Sequence, residues 1–272
     1  MGRITATLEA AKRRGEKALI PFITAGDPDL ETTEALIHVL VEAGADVIEL
    51  GFPFSDPMAD GPTIQAASER ALKAGTALED VLGMVQRVRT HTNVPIVLMG
   101  YYNPIFRFGP ERFAQAAAEA GIDGLLLVDL PDEESGELRE VLNQSGVDQI
   151  MLLAPTTPPE RRNRLAARGQ GFIYYVSMTG VTGVNAVDPE AIRSDVEALK
   201  AVSPVPVGVG FGISTPRDAA AVARFADAVV VGSALVKVIE AFSGTPRLME
   251  EVRSFVAALK APLVNATEGL NS

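Results

Sequence analysis

The chain has 272 residues, 47% of them hydrophobic and 22% charged, a composition typical of a globular protein with a large core. Its 24 Lys and Arg residues against 35 Asp and Glu residues give a formal net charge of −11, which disfavours attraction to nucleic acid or to an anionic membrane. The chain has 0 Cys, which excludes disulfides, thiol nucleophiles and thiolate metal sites.

The first predicted element is a helix at residues 2 to about 15, which we expect to cover the floor of the fold. The same stretch lacks the apolar core of a secretory signal peptide, and no apolar run in the chain reaches the length of a transmembrane helix. These features predict a cytoplasmic protein.

Eight short apolar runs rich in β-branched residues follow, separated by segments of helical period. In chain order they are ALIPFIT, ADVIELG, VPIVLMG, DGLLLVD, DQIMLLA, GFIYYVS, VPVGVGFG and ADAVVVG. Runs without polar alternation indicate strands buried on both faces, which in a βα repeat form a parallel sheet covered by helices. Such a series predicts an α/β fold of the (β/α)₈ TIM-barrel type. A doubly wound open sheet is the alternative, but no GxGxxG fingerprint opens an early helix.

The βα unit repeats itself visibly and leaves a few segments over. EAGADVIEL, EAGIDGLLLV and QSGVDQIMLL each run from a helix end through Gly and Asp into a strand, and RFADAVVVG is a weaker copy. The segment LEDVLGMVQRVRTHT predicts an extra helix in the second unit. We expect one barrel domain over residues 1–272, with a frayed tail at about 261–272.

Several reaction types are excluded by the position of reactive residues. Barrel enzymes place their chemistry where strands end at the C-terminal face. His38 and His91 lie in or at the end of helical segments, and no lysine stands at a strand end. These positions exclude a Schiff-base aldolase and a zinc-type site, and no metal is expected.

The stretch VIELGFPFSDPMADGP carries two carboxylates in different settings. Glu49 stands in an apolar strand, where it is poorly solvated and becomes a proton donor or acceptor near neutral pH. Asp60 follows on a loop rich in Pro and Gly that is long enough to fold back over the same opening. Two carboxylates in different environments can divide acid and base roles. Asp27 and Asp129 are further strand-end candidates, for which a structural role is more common.

Glycine-bearing turns after the late strands predict a phosphate site. They are GVTGV at 180–184, GFGIST at 210–215 and VGSALV at 231–236. In the last two, glycine and then serine lead into a helix start, where backbone N–H groups and the helix dipole favour an anion. A single turn of this kind would be a plain helix cap, but three in consecutive loops favour phosphate. Backbone donors also explain how an acidic protein could bind an anionic substrate.

The rest of the predicted opening is apolar and aromatic, which indicates a flat hydrophobic part of a substrate beside the phosphate. Each residue taken singly is more typical of core packing. The residues concerned are Phe22, Ile64, Met99, Tyr101, Leu126, Tyr174 and Phe211.

These motifs together resemble the tryptophan synthase α subunit family. In the order and with the spacing of that family, the chain contains PFITAGDPD, VIELGFPFSDPMADGPTIQ, GYYNP, GVTG, GVGFGIS and VVVGSALV. The combination of ELGFPFSDPMADGP with a downstream GVTG is the most specific part, since glycine-serine phosphate turns occur in other barrels.

The resemblance implies a lyase of tryptophan biosynthesis that cleaves indole-3-glycerol phosphate to indole and glyceraldehyde 3-phosphate by a retro-aldol step. It places the family's catalytic glutamate at Glu49 and its catalytic aspartate at Asp60. Glu49 would protonate C3 of the indole ring and help to deprotonate the glycerol hydroxyl group. Asp60 would accept a hydrogen bond from the indole N–H. No cofactor is implied in this chain.

The resemblance also assigns the other site positions. The family's phosphate contacts fall on Gly183, Gly212, Gly232 and Ser233. Its indole pocket falls on Phe22, Met99, Leu126 and Tyr174. A mobile loop carrying Thr182 would close over the substrate and hydrogen-bond Asp60.

A partner is implied as well. In the family, a β subunit that contains pyridoxal phosphate receives indole directly from the α subunit in an α2β2 heterotetramer. Residues 53–58, with Asp56 among them, resemble the part that faces this partner, although a plain exposed loop is nearly as good an interpretation of the sequence.

Two other functions are compatible with the residues themselves. One is a different phosphate-binding barrel enzyme, such as an isomerase or epimerase that uses Glu49 as its base. The other is a catalytically degenerate barrel that only activates a partner.

Overall fold

The computed structural model describes residues 2–176, 189–210 and 212–264. Within these ranges the strands are β1 (Ala18–Thr24), β2 (Ile48–Gly51), β3 (Ile96–Gly100), β4 (Gly124–Leu127), β5 (Asp148–Gln149), β6 (Met151–Leu153), β7 (Ile173–Val176), β8 (Val207–Gly210) and β9 (Ala228–Val231). The helices are α1 (Arg3–Arg13), α2 (Leu30–Glu42), α3 (Pro62–Lys73), α4 (Leu78–Val88), α5 (Tyr102–Phe108), α6 (Pro110–Ala120), α7 (Gly136–Ser145), α8 (Pro159–Ala166), α9 (Pro189–Val202), α10 (Pro216–Ala223), α11 (Ser233–Phe242) and α12 (Leu248–Val264). A 3₁₀ turn spans Asp132–Glu134.

The sheet is parallel and curls into a barrel. Its strand order is β5-β4-β3-β2-β1-β9-β8-β7-β6. The two end strands, β5 and β6, are the halves of the fifth predicted strand and are separated at Ile150. The Ile150 N–H donates to the Leu125 carbonyl oxygen of β4 at 2.9 Å. The continuous stretch 148–153 therefore pairs with β4 at one end of the strand order and with β7 at the other. The barrel prediction is therefore confirmed and the open-sheet alternative is wrong.

Side chains along each strand alternate between the barrel interior and the outer layer of helices. On β2 and the residue before it, Val47 faces the interior cluster, whereas Ile48 and Leu50 pack in the outer one. This alternation explains why the strands are apolar throughout. Ile4 and Leu8 of α1 belong to the interior cluster, so the N-terminal helix closes the floor as predicted.

The repeated aspartate before the strands has a structural role at the floor. Asp46, Asp123 and Asp227 each accept a hydrogen bond at 2.7–3.0 Å from a backbone N–H at the start of a neighbouring strand. Each carboxylate also pairs with a cation from a helix or from the segment just after one. The backbone donors are Leu19, Ile96 and Val207, and the cations are Lys260, Arg89 and Lys200. These contacts fix the register of the strands away from the opening.

The extra helices differ in part from the prediction. The additional helix of the second unit is present as α4, but the third unit also has a short helix, α5, before α6. The prediction of a frayed tail from about 261 is wrong for residues 261–264, which continue α12. Leu263 is fully buried there, and its carbonyl oxygen accepts a hydrogen bond from Lys17 N–H at 2.9 Å. Residues 265–272 lie outside the described part of the chain.

None of the helices in the described ranges combines the length and the apolar character that a membrane crossing requires.

Candidate active site

Glu49 lies inside the barrel, on the face of β2 that points away from the helices. Its register partners are Phe22 on β1 and Val97 on β3. The side chain is 1% exposed, and its Oε1 atom has no hydrogen-bond partner among the described residues. This oxygen atom has lost its hydration without gaining a hydrogen-bond partner in the described part of the chain.

Burial raises the pKa of Glu49 to about 8, and the negative charge of Asp60 adds to this shift. Both effects penalise the ionised form, the first by loss of water and the second by repulsion between like charges. Glu49 is therefore mainly a neutral acid at pH 7. This explains how an apolar strand accommodates a glutamate.

The loop between β2 and α3 brings Asp60 back to the same opening. Phe52 N–H donates to the Met99 carbonyl oxygen at 3.0 Å, and Phe54 N–H donates to Ser68 Oγ at 3.0 Å. Further along, Gln65 Nε2 donates to the Asp60 carbonyl oxygen at 2.8 Å. The structure thus brings together the two carboxylates that the sequence predicts to share a site.

Tyr101, at the end of β3, holds the Asp60 part of this loop. Its hydroxyl oxygen accepts a hydrogen bond from Ala59 N–H at 3.0 Å, and its ring stacks on Phe54 with centroids 5.0 Å apart. Burial raises the pKa of Asp60 to about 6, and a hydrogen bond from the Tyr101 hydroxyl group opposes the rise. The sequence predicted Tyr101 as part of an apolar wall, so the role of its hydroxyl group was missed.

The two carboxyl groups ionise in a defined order. Asp60, with the lower pKa, loses its proton first, and its charge then makes ionisation of Glu49 harder. Between about pH 6 and pH 8 the opening holds one carboxylate and one neutral carboxylic acid. This is the arrangement that separates acid and base roles.

A pocket opens above the strand ends beside Asp60. It is lined by Phe22, Thr24, Gly51, Phe52, Phe54, Asp60, Ile64, Ser68, Met99, Gly100 and Tyr101. Two of the predicted indole-pocket residues, Phe22 and Met99, are among these. Leu126 is instead fully buried in the interior cluster, in register with Met99.

Tyr174 lies on the interior side of β7, partly buried and close to Gly210. A Cβ atom built on Gly210 would lie 2.4 Å from the Tyr174 hydroxyl oxygen, so glycine leaves room for this ring. Burial raises the pKa of Tyr174, and the charge of Glu49 adds to the effect. Tyr174 is therefore in the electrostatic neighbourhood of Glu49, although it does not line the pocket beside Asp60.

The start of α11 has backbone N–H groups without a partner among the described residues. Gly232 caps this helix without a side-chain hydrogen bond, and its carbonyl oxygen accepts from the N–H groups of Leu235 and Val236. The preceding N–H groups, of Ser233 and Ala234, have no acceptor among the described residues. A Cβ atom built on Gly232 would lie 3.7 Å from Phe22 and 3.8 Å from Ile64, so this helix start borders the pocket.

The start of α10 differs from that of α11. Gly212 has a φ of +72°, a conformation that favours glycine. The N–H groups of Ser214 and Thr215 donate to the Asp218 carboxylate at 3.1 and 2.9 Å, so this helix start is closed by its own side chain. Of the two predicted phosphate turns that are described, the one before α11 has N–H donors that no described side chain occupies. Gly183, Thr182 and Phe211 lie outside the described residues.

The predicted partner-facing segment is at the rim of the same opening. Asp56 is exposed, and its Oδ2 atom accepts a hydrogen bond from Ser55 Oγ at 2.5 Å. Two large apolar side chains are also exposed. Met58, on the same loop, is 91% exposed, and Phe106, in α5 of the next unit, is 64% exposed. Singly exposed apolar side chains are common on protein surfaces, so these two residues do not by themselves define a binding surface.

The raised pKa of Glu49 predicts a pH dependence of stability. Because the folded protein holds this proton more tightly than the unfolded chain, the stability that it contributes declines as pH rises from about 4.5 to about 8. Glu49→Gln has no proton to lose. The free energy of unfolding is measured with urea at pH 5 and at pH 9. Between these two pH values, that of the wild type is expected to fall by a few kcal/mol relative to that of the variant. Parallel pH dependence in the two proteins would contradict a neutral Glu49.

The protein is a (β/α)₈ barrel whose opening holds two carboxyl groups with different pKa values, an arrangement suited to acid–base chemistry. Comparison with known proteins makes this more specific. The profile of the family described as "Tryptophan synthase alpha chain" matches residues 8–264. The chain is 56% identical over 265 residues to the tryptophan synthase alpha chain of Geobacter sulfurreducens, which covers 97% of this chain and 100% of the relative.

Solved structures agree. The tryptophan synthase subunit alpha of Legionella pneumophila superposes with a TM-score of 0.90 at 44% identity, over 97% of this chain and 99% of the other. A chain of the tryptophan synthase complex of Pyrococcus furiosus superposes with a TM-score of 0.80 at 38% identity, over 90% and 98%. The chain belongs to the tryptophan synthase alpha chain family. It is a lyase that acts on indole-3-glycerol phosphate and needs no cofactor of its own.

Proposed function

We propose that Glu49 and Asp60 together carry the retro-aldol cleavage of indole-3-glycerol phosphate into indole and glyceraldehyde 3-phosphate. The observation that supports this assignment is their different ionisation in one opening, with Glu49 mainly protonated and Asp60 mainly ionised at pH 7. The reaction needs an acid and an anion at separate points of the same heterocycle.

In the first step, Glu49 donates its proton to C3 of the indole ring. The ring becomes cationic, with positive charge shared by the nitrogen atom, and the Asp60 carboxylate stabilises this charge by accepting a hydrogen bond from the indole N–H. Because Asp60 is held by Tyr101 before substrate binds, little reorganisation is needed when the charge develops.

In the second step, the Glu49 carboxylate takes the proton of the glycerol hydroxyl group next to the ring. The bond between that carbon and C3 breaks, its electron pair returns to the ring as neutral indole, and the carbon becomes the aldehyde of glyceraldehyde 3-phosphate. Glu49 ends protonated, ready for the next turnover. The low-dielectric interior around Glu49 favours proton transfer over prolonged ionisation.

The remaining parts of the substrate fit the rest of the opening. The ring would contact Phe22 and Met99, with Leu126 and Tyr174 completing the interior wall beneath them. The phosphate group would bind the free N–H groups at the start of α11, next to Gly232 and Ser233. Gly212 and Gly183 would add contacts from the neighbouring turns.

Gly232→Ala tests the phosphate assignment. The added methyl group makes only ordinary contacts with Phe22 and Ile64, so the fold is expected to be retained, but it occupies the approach to the α11 start. We expect the KM for indole-3-glycerol phosphate to rise about 10-fold or more, with a smaller change in kcat. The matched control is Gly83→Ala in α4, whose Cβ atom meets nothing within 4 Å. An unchanged KM in Gly232→Ala would move the phosphate elsewhere.

The proposal extends to the partner and the compartment. The complex from Pyrococcus furiosus is a precedent for assembly with a β subunit, which carries pyridoxal phosphate in this family. The surface around Asp56, with the exposed Met58 and Phe106, would face that β subunit in an α2β2 heterotetramer. The absence of a membrane span from the described helices and the lack of cysteine are compatible with a cytoplasmic enzyme.

An indole-release assay on indole-3-glycerol phosphate, with and without a β subunit, tests the function as a whole. Release of indole and glyceraldehyde 3-phosphate in equal amounts is expected. Stimulation of the β subunit without any indole release would indicate a barrel that only activates a partner. Turnover of a sugar phosphate without indole release would indicate an isomerase.

A further inference from the structure

Thr24, the last residue of β1, carries a buried hydroxyl group that no described residue hydrogen-bonds. The residue is 4% exposed and lines the pocket beside Asp60. Its Oγ1 atom is fully buried and makes no hydrogen bond within the described part of the chain. A hydroxyl group in this state costs the folded protein free energy, because it has lost water and gained nothing in return.

The other hydroxyl groups of this pocket have partners. Ser68 Oγ accepts from Phe54 N–H at 3.0 Å and donates to the Phe54 carbonyl oxygen at 3.3 Å. The Tyr101 hydroxyl group bonds to Ala59 N–H and to Asp60. These groups hold the loop in place, whereas the hydroxyl group of Thr24 makes no hydrogen bond to the loop or to any other described residue.

The register of the sheet places Thr24 close to the reacting groups. Phe22 pairs with Glu49, and Thr24 pairs with Gly51, so Thr24 lies on the interior side two residues nearer the opening than Glu49. Gly51 leaves space for the Phe22 ring, since a Cβ atom there would lie 2.7 Å from that ring. Because Thr24, Gly51 and Phe22 all line the pocket beside Asp60, a ligand in this pocket would lie next to Thr24.

We propose that Thr24 is a substrate-contacting residue whose hydroxyl group hydrogen-bonds a hydroxyl group of the glycerol chain. This inference rests on the proposed function. The polar atoms of the substrate are the ring N–H, the phosphate and the glycerol hydroxyl groups. Asp60 accounts for the first and the α11 start for the second, and Glu49 can deprotonate a single hydroxyl group. Thr24, which both donates and accepts, is suited to orient the glycerol chain so that the bond to C3 can break.

Thr24→Val separates this role from a structural one, because it removes the hydroxyl group at nearly constant shape. We expect kcat/KM for indole release to fall about 10-fold, while the Tm of the free protein stays the same or rises. Thr24→Ser keeps the hydroxyl group and is expected to retain kcat/KM within about 3-fold. Unchanged kcat/KM in Thr24→Val, in an enzyme whose wild type releases indole, would overturn the inference and leave the proposed function intact.

Thr33→Val is the matched control for stability. Thr33 is equally buried, but its hydroxyl group donates to the Asp29 carbonyl oxygen at 2.8 Å and accepts from Gly26 N–H at 3.0 Å. Its loss is expected to lower the Tm by about 2–4 °C. A similar fall in Thr24→Val would show that the Thr24 hydroxyl group is structural and would overturn the inference.

A substrate analogue identifies the contacted group. 3-(Indol-3-yl)propyl phosphate keeps the ring and the phosphate but lacks both glycerol hydroxyl groups. We expect Thr24→Val to leave the inhibition constant of this analogue within about 2-fold of the wild-type value, while kcat/KM for the true substrate falls. Equal weakening for both compounds would place the contact on the ring and overturn the glycerol assignment. A wild type that binds the analogue but releases no indole would refute the proposed function instead.

Discussion

Glu49→Gln is expected to lower kcat for indole release by about 10²–10⁴-fold. Glutamine has nearly the same shape as the protonated glutamate, but it can neither donate a proton to C3 nor accept one from the glycerol hydroxyl group. Glu49 is buried, and its Oε1 atom has no hydrogen-bond partner among the described residues, so none of them is placed at that atom to take over its role. The substrate should still bind, so KM is expected to change much less than kcat.

The measurement is steady-state indole release at pH 7, with folding checked by circular dichroism and by Tm. Glu79→Gln is the control, since this substitution makes the same chemical change at an exposed position in the first turn of α4. Turnover of Glu49→Gln close to that of the wild type would refute the acid role of Glu49. If Glu49→Gln does not fold, Glu49→Asp is measured instead, because it keeps the carboxyl group but shortens the side chain.

Asp60→Asn is expected to lower kcat by about 10²–10³-fold, because it removes the negative charge that faces the cationic ring. Asparagine can still accept a hydrogen bond from the indole N–H, so binding should be affected less than turnover. The Tyr101 hydroxyl group can also still donate to the new side chain, so the loop is expected to keep its place.

The pH profile of Asp60→Asn gives a second, independent reading. In the wild type, kcat should fall below about pH 6 as Asp60 is protonated and above about pH 8 as Glu49 ionises. The variant has no carboxylate at position 60, so the acid limb should disappear. The basic limb should move to lower pH, because the charge that raises the pKa of Glu49 is gone. An unchanged profile would show that the two carboxyl groups are not coupled.

Much of the architecture was predictable because it depends on local patterns. Apolar runs at regular spacing indicated buried parallel strands, and Gly-then-Asp boundaries marked where each begins. The short helix α5 and the last turn of α12 were missed. Both make contacts with distant segments. Lys17 N–H donates to the Leu263 carbonyl oxygen at the end of α12, and Tyr102 N–H at the start of α5 donates to the Asp129 carboxylate at 2.8 Å. Such contacts leave no periodic signal in the chain.

The site shows the same division. Glu49 was predictable as an anomaly, a carboxylate in an otherwise apolar strand, and Asp60 because its loop follows directly. The turns before α10 and α11 look alike in sequence, each with glycine and then serine. The structure distinguishes them, since Asp218 occupies the N–H groups of one and nothing described occupies those of the other.

By itself, the sequence determined the barrel class, because the type and spacing of residues are sufficient for it. The same patterns predicted the two acidic residues and argued against histidine, lysine and cysteine chemistry. The tertiary structure alone decided the ionisation order of Glu49 and Asp60, the bond from Tyr101 to the Asp60 loop, and the unpartnered hydroxyl group of Thr24. The physical reason is that desolvation, charge coupling and hydrogen-bond satisfaction depend on distances between groups far apart in the chain.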